Sequence, residues 1–406
     1  MALSTSAIIA CCTLKEFVVT ELHVKYSPVL RFNTDEQFFP MRVDDMLRYS
    51  SLYVKNQSEP VVPRGQVTAS HLTKRGRSSE VFLRSVEAGP LSGEDVVAAW
   101  GEGTLEMVYR WAAARPTSLA EYLARKAYSW FSPKTRDAAQ LFWWNSLVSQ
   151  VLEGAVQSVS RDELPRLVLP GETQRNAAEQ YRSSFRGSPA YTYYYRPVRD
   201  GDYLCLQYWF FYSYNDWGRS FAGMNDHEGD WEGMMLFFRL DRSGRPQEPP
   251  AYVTFADHES RQTKPWGHKD VTCIGTHPVA FVAAGSHATY PEAGTHPLMK
   301  LYNLLDYSTG DGVTIDHDEW VHRLNLDDVH WLGDYKGSWG TRFWLPTTQA
   351  KTMLQVMLGA TPFRSLVGLA APAEIELPGV SAPHGPVGSH RPQYANPVVW
   401  AGVPEE

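Results

Sequence analysis

The run from Asp226 to Glu232 reads DHEGDWE and holds four acids and a histidine within seven residues. Asp230 and Glu232 are two apart at the head of an apolar run, so on a strand their carboxylates leave the same face. Trp231 leaves the other face, toward a core. Gly229 lets the backbone turn the His227 imidazole back toward the carboxylates. Two carboxylates on one face repel unless a positive charge sits between them. A divalent cation meets that need, with His227, Asp230 and Glu232 as ligands. One imidazole among several carboxylates favours calcium or magnesium, with manganese and zinc behind them. A solvated acidic loop and a metal-free acid/base pair are the other readings of the same run.

Three further residues belong to this picture. Asp216 closes the run QYWFFYSYND, and a hairpin would bring it beside His227 as a fourth ligand; its other reading is a turn-forming Asn-Asp. His258 and His287 each follow a long apolar run, where a sheet edge collects proton-transfer groups, so both are catalytic candidates. Asp257 and Ser286 stand beside them. Asp311, Asp316, His317 and Asp318 read as a solvated loop. GxSxG, P-loop and HExxH patterns are absent.

The elements that must position these residues are mainly strands. AYTYYYRPV and DYLCLQYWFFYSYN, separated by the turn RDGD (199–202), predict a hairpin, and WEGMMLFFRL (231–240) the next strand. AYVTFADHE (251–259) and HPVAFVAAGSHATYP (277–291) predict two more, and residues 14–24 an early one. The fold expected is mainly β, an antiparallel β-sandwich or twisted mixed sheet. Residues 92–160 change character: SLAEYLARKAYSWF and TRDAAQLFWWNSLVSQVLEGAV have helical spacing, and Ser118 with Glu121 forms a capping box. The organisation expected is one β-rich domain over 1–406, with a helical insertion at about 92–160 and a Pro/Gly-rich tail at about 371–406 packed through Tyr394 and Trp400.

Composition narrows the classes. A net charge of −7 argues against nucleic-acid binding. No run reaches the length of a transmembrane helix. The four cysteines form no CxxC pair, and Cys205 and Cys273 sit in apolar runs as core residues. The N-terminus lacks a positive region ahead of its short apolar stretch, which points to the cytoplasm, with secretion left open. The 14 Trp, 21 Tyr and 17 Phe cluster partly beside the acidic run and suit an aromatic-walled cleft.

The segments YSPVLRF…EQFFP (26–40), QYWFFYSYND (207–216), HEGDWEGM (227–234), HPVAFVAAGSHATYP (277–291) and GPVGSHRPQYANPVVW (385–400) resemble the family related to vacuolar protein sorting-associated protein 62. The core motif is also similar, more distantly, to the necrosis- and ethylene-inducing peptide-like cytolysins. His227, Asp230 and Glu232 reproduce that family's His, Asp, Glu spacing. The resemblance implies a calcium- or magnesium-type ion in a β-sandwich, an upstream Asp whose nearest counterpart is Asp216, and recognition of sphingolipid head groups. This chain is longer and lacks the disulfide-supported secreted look.

Three functions follow. The first is a metal-dependent enzyme of hydrolase, cyclase or lyase type on an apolar or polycyclic small molecule, with the metal as Lewis acid and His258 or His287 moving the proton. The second is a metal-dependent lipid or glycan head-group binder, cytolysin-like. The third is a structural metal protein. Each leaves the oligomeric state open.

Overall fold

The computed structural model describes residues 21–76, 78–87, 89, 92–96, 171–184, 190–217, 226–257, 260–299, 304–346, 374–376 and 392–404. Its strands are β1 (Val29–Arg31), β2 (Ser51–Val54), β3 (Val81–Arg84), β4 (Thr192–Asp200), β5 (Tyr203–Asn215), β6 (His227–Arg239), β7 (Tyr252–Asp257) and β8 (Ser260–Pro265). They continue as β9 (Cys273–Ile274), β10 (His277–Val282), β11 (Thr289–Tyr290), β12 (Gly294–Met299), β13 (Leu304–Ser308), β14 (Thr314–Ile315), β15 (His322–Asn325), β16 (Trp344–Pro346) and β17 (Glu374–Glu376). The largest sheet runs β15-β4-β5-β6-β7-β8, antiparallel except where β15 joins β4. A second sheet runs β11-β10-β1-β14, with β9 on β10 and β1 parallel to β10. The fold is mainly β, in several sheets, and no sheet closes into a barrel among the described residues.

The central hairpin follows from its sequence. β4 stops at Asp200 and β5 starts at Tyr203, and Gly201 takes the left-handed φ of +57° that the tight turn requires. β5 is buried at nearly every position, so both of its faces are covered and its sequence is a continuous apolar run. The C-terminal helices Pro392–Ala395 and Pro397–Ala401 cover part of it: Gln207 Nε2 donates to Gln393 O, and Trp209 packs on Tyr394. The main core draws on both sheets, from Leu30 and Phe32 through Trp231 and Phe255 to Ala280 and Ile315.

One hydroxyl locks the two sheets in register beside the acidic run. Thr289 Oγ1, on β11, accepts from Ala256 N of β7 at 3.0 Å and lies 2.9 Å from Gly233 O of β6. The segment just before Thr289 is thereby held against β5 and β6.

Some elements differ from expectation. The strand expected over 277–291 is two strands, β10 and β11, paired antiparallel around a tight reversal at 283–288. Gly285 and His287 both have positive φ there, which an extended run cannot accommodate. Of the strand expected over 14–24, residues 14–20 lie outside the described residues and 21–24 are helical, and Leu22 and Tyr26 bury one face a helical turn apart. Cys205 is buried as expected, whereas Cys273 is only partly so; both are free thiols. The helical insertion, beyond residues 92–96, lies outside the described residues, as does His258. No helix among the described residues is long and apolar enough to cross a membrane.

Candidate metal centre

β6 opens on the acidic run, antiparallel to the end of β5. His227 stands opposite Asn215, Asp230 opposite Tyr212, and Glu232 opposite Phe210. Strict alternation would put Glu228 with Asp230 and Glu232. Gly229 breaks it, with φ +64° and a backbone so close to Trp339 that a Cβ would fall 2.6 Å from Trp339 O. The turn sends Glu228 one way and His227 the other. Glu228 accepts from Ser85 N (2.7 Å), Ser85 Oγ (2.9 Å), Val86 N (2.7 Å), Thr341 N (2.9 Å) and the Thr341 hydroxyl. It is a tether and has little capacity left for a ligand. His227 Nε2 comes to 3.9 Å from Asp230 Oδ1. Trp231 is buried against Phe211, Tyr194 and Trp339.

The reversal between β10 and β11 brings His287 to the same place. Asp216 N donates to Gly285 O at 3.0 Å, and a Cβ on Gly285 would fall 1.5 Å from Asp216 O, so only glycine permits this approach. His287 is 0% exposed with φ +60°. Its Nδ1 lies 3.8 Å from Asp230 Oδ2 and its Nε2 3.5 Å from Glu36 Oε1. Glu36 Oε1 accepts from Phe38 N at 2.9 Å, and its Oε2 from Gly285 N at 3.1 Å. Asn215 Nδ2 donates to Asp230 Oδ2 at 3.1 Å.

Charge dominates this cluster. Burial works against ionising His287, but the charges of Glu36 and Asp230 overcome it and push the imidazole up to about 9. Burial works to raise Asp230, and the two imidazoles, His227 and His287, override it and hold the carboxyl far below the usual range. Glu36 is lowered too: burial opposes, while the His287 charge and the N–H groups of Phe38 and Gly285 favour the carboxylate. The Tyr212 hydroxyl is pushed well up, first by burial and then by the charges of Glu232, Glu36 and Asp230.

The donor atoms of His227, Asp230 and Glu232 do not all come within 4.8 Å of one another, the compactness that Asp316, His317 and Asp318 reach. His227, Asp230 and Glu232 are 7%, 5% and 7% exposed, and the carboxyls of Glu36 and Asp230 face His287. Two donors bound to one cation at roughly 2.0–2.5 Å stand roughly 3–4.5 Å apart, which spans the His227–Asp230 separation. The Asn215 Oδ1 acceptor is buried with no hydrogen bond among the described residues, one more oxygen at hand. Asp216 meets the reversal through its backbone, N–H on Gly285 O, and its Oδ2 accepts from Gln174 Nε2 at 2.8 Å.

Other candidates fall elsewhere. Ser286 Oγ donates to the buried Asp306. Asp316, His317 and Asp318 form a group with donor atoms within 4.8 Å of one another, partly exposed, with His317 stacked on His277 at 3.9 Å. Glu36, Asn215, Tyr212 and Gln174 were not singled out from the sequence. Asn215 was visible only as half of a turn-like Asn-Asp, and Glu36 as an acid directly ahead of an aromatic pair.

No family model matches the sequence, and no curated protein matches it. Two solved structures match part of the chain. One is Necrosis and Ethylene inducing Protein 2 from the causal agent of cocoa's Witches Broom disease: 14% identity, TM-score 0.24, covering 42% of this chain and 68% of that one. The other is NLPPya in complex with glucosamine: 14% identity, TM-score 0.20, covering 25% of this chain and 47% of that one. The structural neighbours are necrosis- and ethylene-inducing proteins. At these scores the likeness carries no functional argument.

Proposed function

We propose that this protein uses a divalent cation, calcium or magnesium, held by His227, Asp230 and Glu232 with Asp216 alongside, to bind a polar head group of glycan or lipid type. The observation behind this reading is the pair of carboxyls, Glu36 and Asp230, on the buried imidazole of His287, with Glu232 two residues beyond Asp230 on the same strand. Buried like charges at this density call for a counter-charge. A bound calcium or magnesium ion supplies it and leaves coordination positions for hydroxyl or phosphate oxygens.

Binding is favoured over catalysis by the state of His287. A general acid or base must reach the proton it moves. His287 is 0% exposed, its ring face is covered by Tyr212, and its nitrogens face Glu36 and Asp230. It serves here as a fixed charge. The hydrolase, cyclase or lyase reading therefore rests on His258, with the metal as Lewis acid. The resemblance to the family related to vacuolar protein sorting-associated protein 62 belongs to this reading on the strength of the quoted segments alone.

Calorimetric titration of the purified protein with calcium and with magnesium tests the cation, beside Asp230→Asn. We expect saturable binding that the variant loses, and glucosamine or sugar-headed vesicles retained only with the ion present. Unchanged melting temperature with and without chelator, in both proteins, would overturn the proposal.

A further inference from the structure

Two imidazoles from distant segments lie face to face at one end of the second sheet. His277 opens β10, and His317 sits in the turn 316–319 that follows β14. Their ring centroids are 3.9 Å apart and their planes are inclined by 25°. Ser27, just ahead of β1, joins them. Its carbonyl accepts from His277 Nδ1 at 2.8 Å, and its hydroxyl donates to His317 O at 3.5 Å. A carbonyl oxygen can only accept, so His277 carries a hydrogen on Nδ1. His317 Nδ1 lies 2.6 Å from Asp316 Oδ1, which also accepts from His317 N. The ends of three strands therefore meet at these two rings. The chain beyond them crosses from β14 in the second sheet to β15 in the largest one. Trp320 Nε1 pins that crossover to Pro28 O at 2.9 Å.

We propose that His277 and His317 form an acid-sensitive clasp, which holds the turn 316–319 on the starts of β1 and β10 while at most one ring is charged and opens when both are. The charges around the rings support this. Asp316 faces the pair, with Asp318 and Glu319 in the same turn, and Arg323 on β15 donates from Nη2 to His317 O at 3.3 Å. Lys25, whose carbonyl accepts from the Thr276 hydroxyl beside His277, is paired with Glu248. One proton on the pair is matched by the Asp316 carboxylate, which the bonds from His317 hold below its usual range. A second proton, on His277, meets the charges of His317 and Arg323 together. Burial first, then those two charges, hold His277 below its usual 6.5, against the pull of the Ser27 carbonyl and Asp316. A histidine lowered in this way supports the closed arrangement above its ordinary value, and that support is lost as pH falls. Asp316 and His317 are partly exposed, so protons reach the rings without prior unfolding. The clasp shares no residue with the acidic run of β6, and its opening acts on the crossover between the two sheets.

Nuclear magnetic resonance of the histidine rings in the full chain tests the clasp. Wild type is compared with His317→Phe, which keeps the face of His277 covered and removes the charge. In wild type, proton–proton contacts between the two rings should be present at about pH 8 and lost once both rings have titrated. In His317→Phe, contacts between His277 and the new ring should persist over the same range. The titration midpoint of His277 should rise in the variant by about 0.7 of a pH unit or more, the repulsion that two unit charges roughly 4 Å apart exert even in water. A stack that merely fills space would leave that midpoint where it is. Should the variant fail to fold, the wild-type contacts decide alone. Ring contacts that survive in wild type with both rings charged, or a His277 midpoint unmoved in His317→Phe, would overturn the proposal.

Discussion

The imidazole of His287 lies flat on the phenol ring of Tyr212, with centroids 3.8 Å apart and planes inclined by 2°. The pair joins the reversal between β10 and β11 to the end of β5. It puts a positive charge on an aromatic face, an attraction that adds to those of Glu36 and Asp230. Four segments distant in the chain thus meet at one ring.

Replacing that ring tests the charge balance. His287→Ala leaves Glu36 and Asp230 buried without their cation. The expected loss is roughly 3–5 kcal/mol, the usual cost of stranding half of a buried pair. Urea unfolding in chelator and in saturating calcium measures it, and the loss should shrink in calcium. A loss below about 1 kcal/mol in chelator would show that the carboxylates are compensated elsewhere.

Glu228 should behave differently from its neighbours. Its two oxygens accept from Ser85, Val86 and Thr341. Glu228→Gln turns an NH₂ group toward donors and weakens the charge-assisted bonds that remain. A cost on the order of 2–4 kcal/mol follows. Cation affinity of the folded variant should stay within a few-fold of wild type, whereas Asp230→Asn should abolish it. Equal losses of affinity in the two would place Glu228 among the ligands.

Gly229→Ala probes the turn that separates those roles. Its φ of +64° and the 2.6 Å approach to Trp339 O leave no room for a methyl group. The expected destabilisation is about 1–3 kcal/mol or more. A thermal melt within a degree of wild type would mean that the backbone can relax there at little cost.

The pH profile should have two limbs with opposite signs. His287 is raised from the usual 6.5 to about 9, so its contribution is complete below pH 6.5 and is lost as pH rises through 9. His23 is lowered to about 4, by burial first and then by the charge of Arg323. Its contribution is present above pH 6.5 and is lost as pH falls toward 4. Melting temperatures across this range, in chelator, should show both limbs. His23→Phe, which keeps the stack on Tyr195, should flatten the acid limb, and a His287 variant the alkaline one. An alkaline limb that survives loss of His287 would reassign it.

Legibility in the sequence tracked the range of the contacts. The β4–β5 hairpin was readable from RDGD, because turn and register are local. Asp230 and Glu232 shared a face as their spacing implied, and Gly229 turned the chain as its lack of a side chain allows. Glu36 was not readable as a site residue. Its contact with Gly285 spans 249 positions, and nothing in NTDEQFFP marks a partner so far away. Gln174 carried only a faint mark, a polar residue on an apolar stripe, and its link to Asp216 depends on where the helix docks. The early strand expected over 14–24 shows the reverse case at 21–24, where tertiary packing of Leu22 and Tyr26 overrode local β-propensity.

The Glu228 tether also sets a schedule for assembly. Its bonds to Ser85 and Thr341 close chain separations of 143 and 113 residues. Contacts of that span come late, since the loop entropy must be overcome before they contribute. The hairpin that carries His227 can form early, while the walls that enclose it arrive only with the last long-range closures. Refolding followed by a signal from the site should therefore trail refolding followed by backbone circular dichroism.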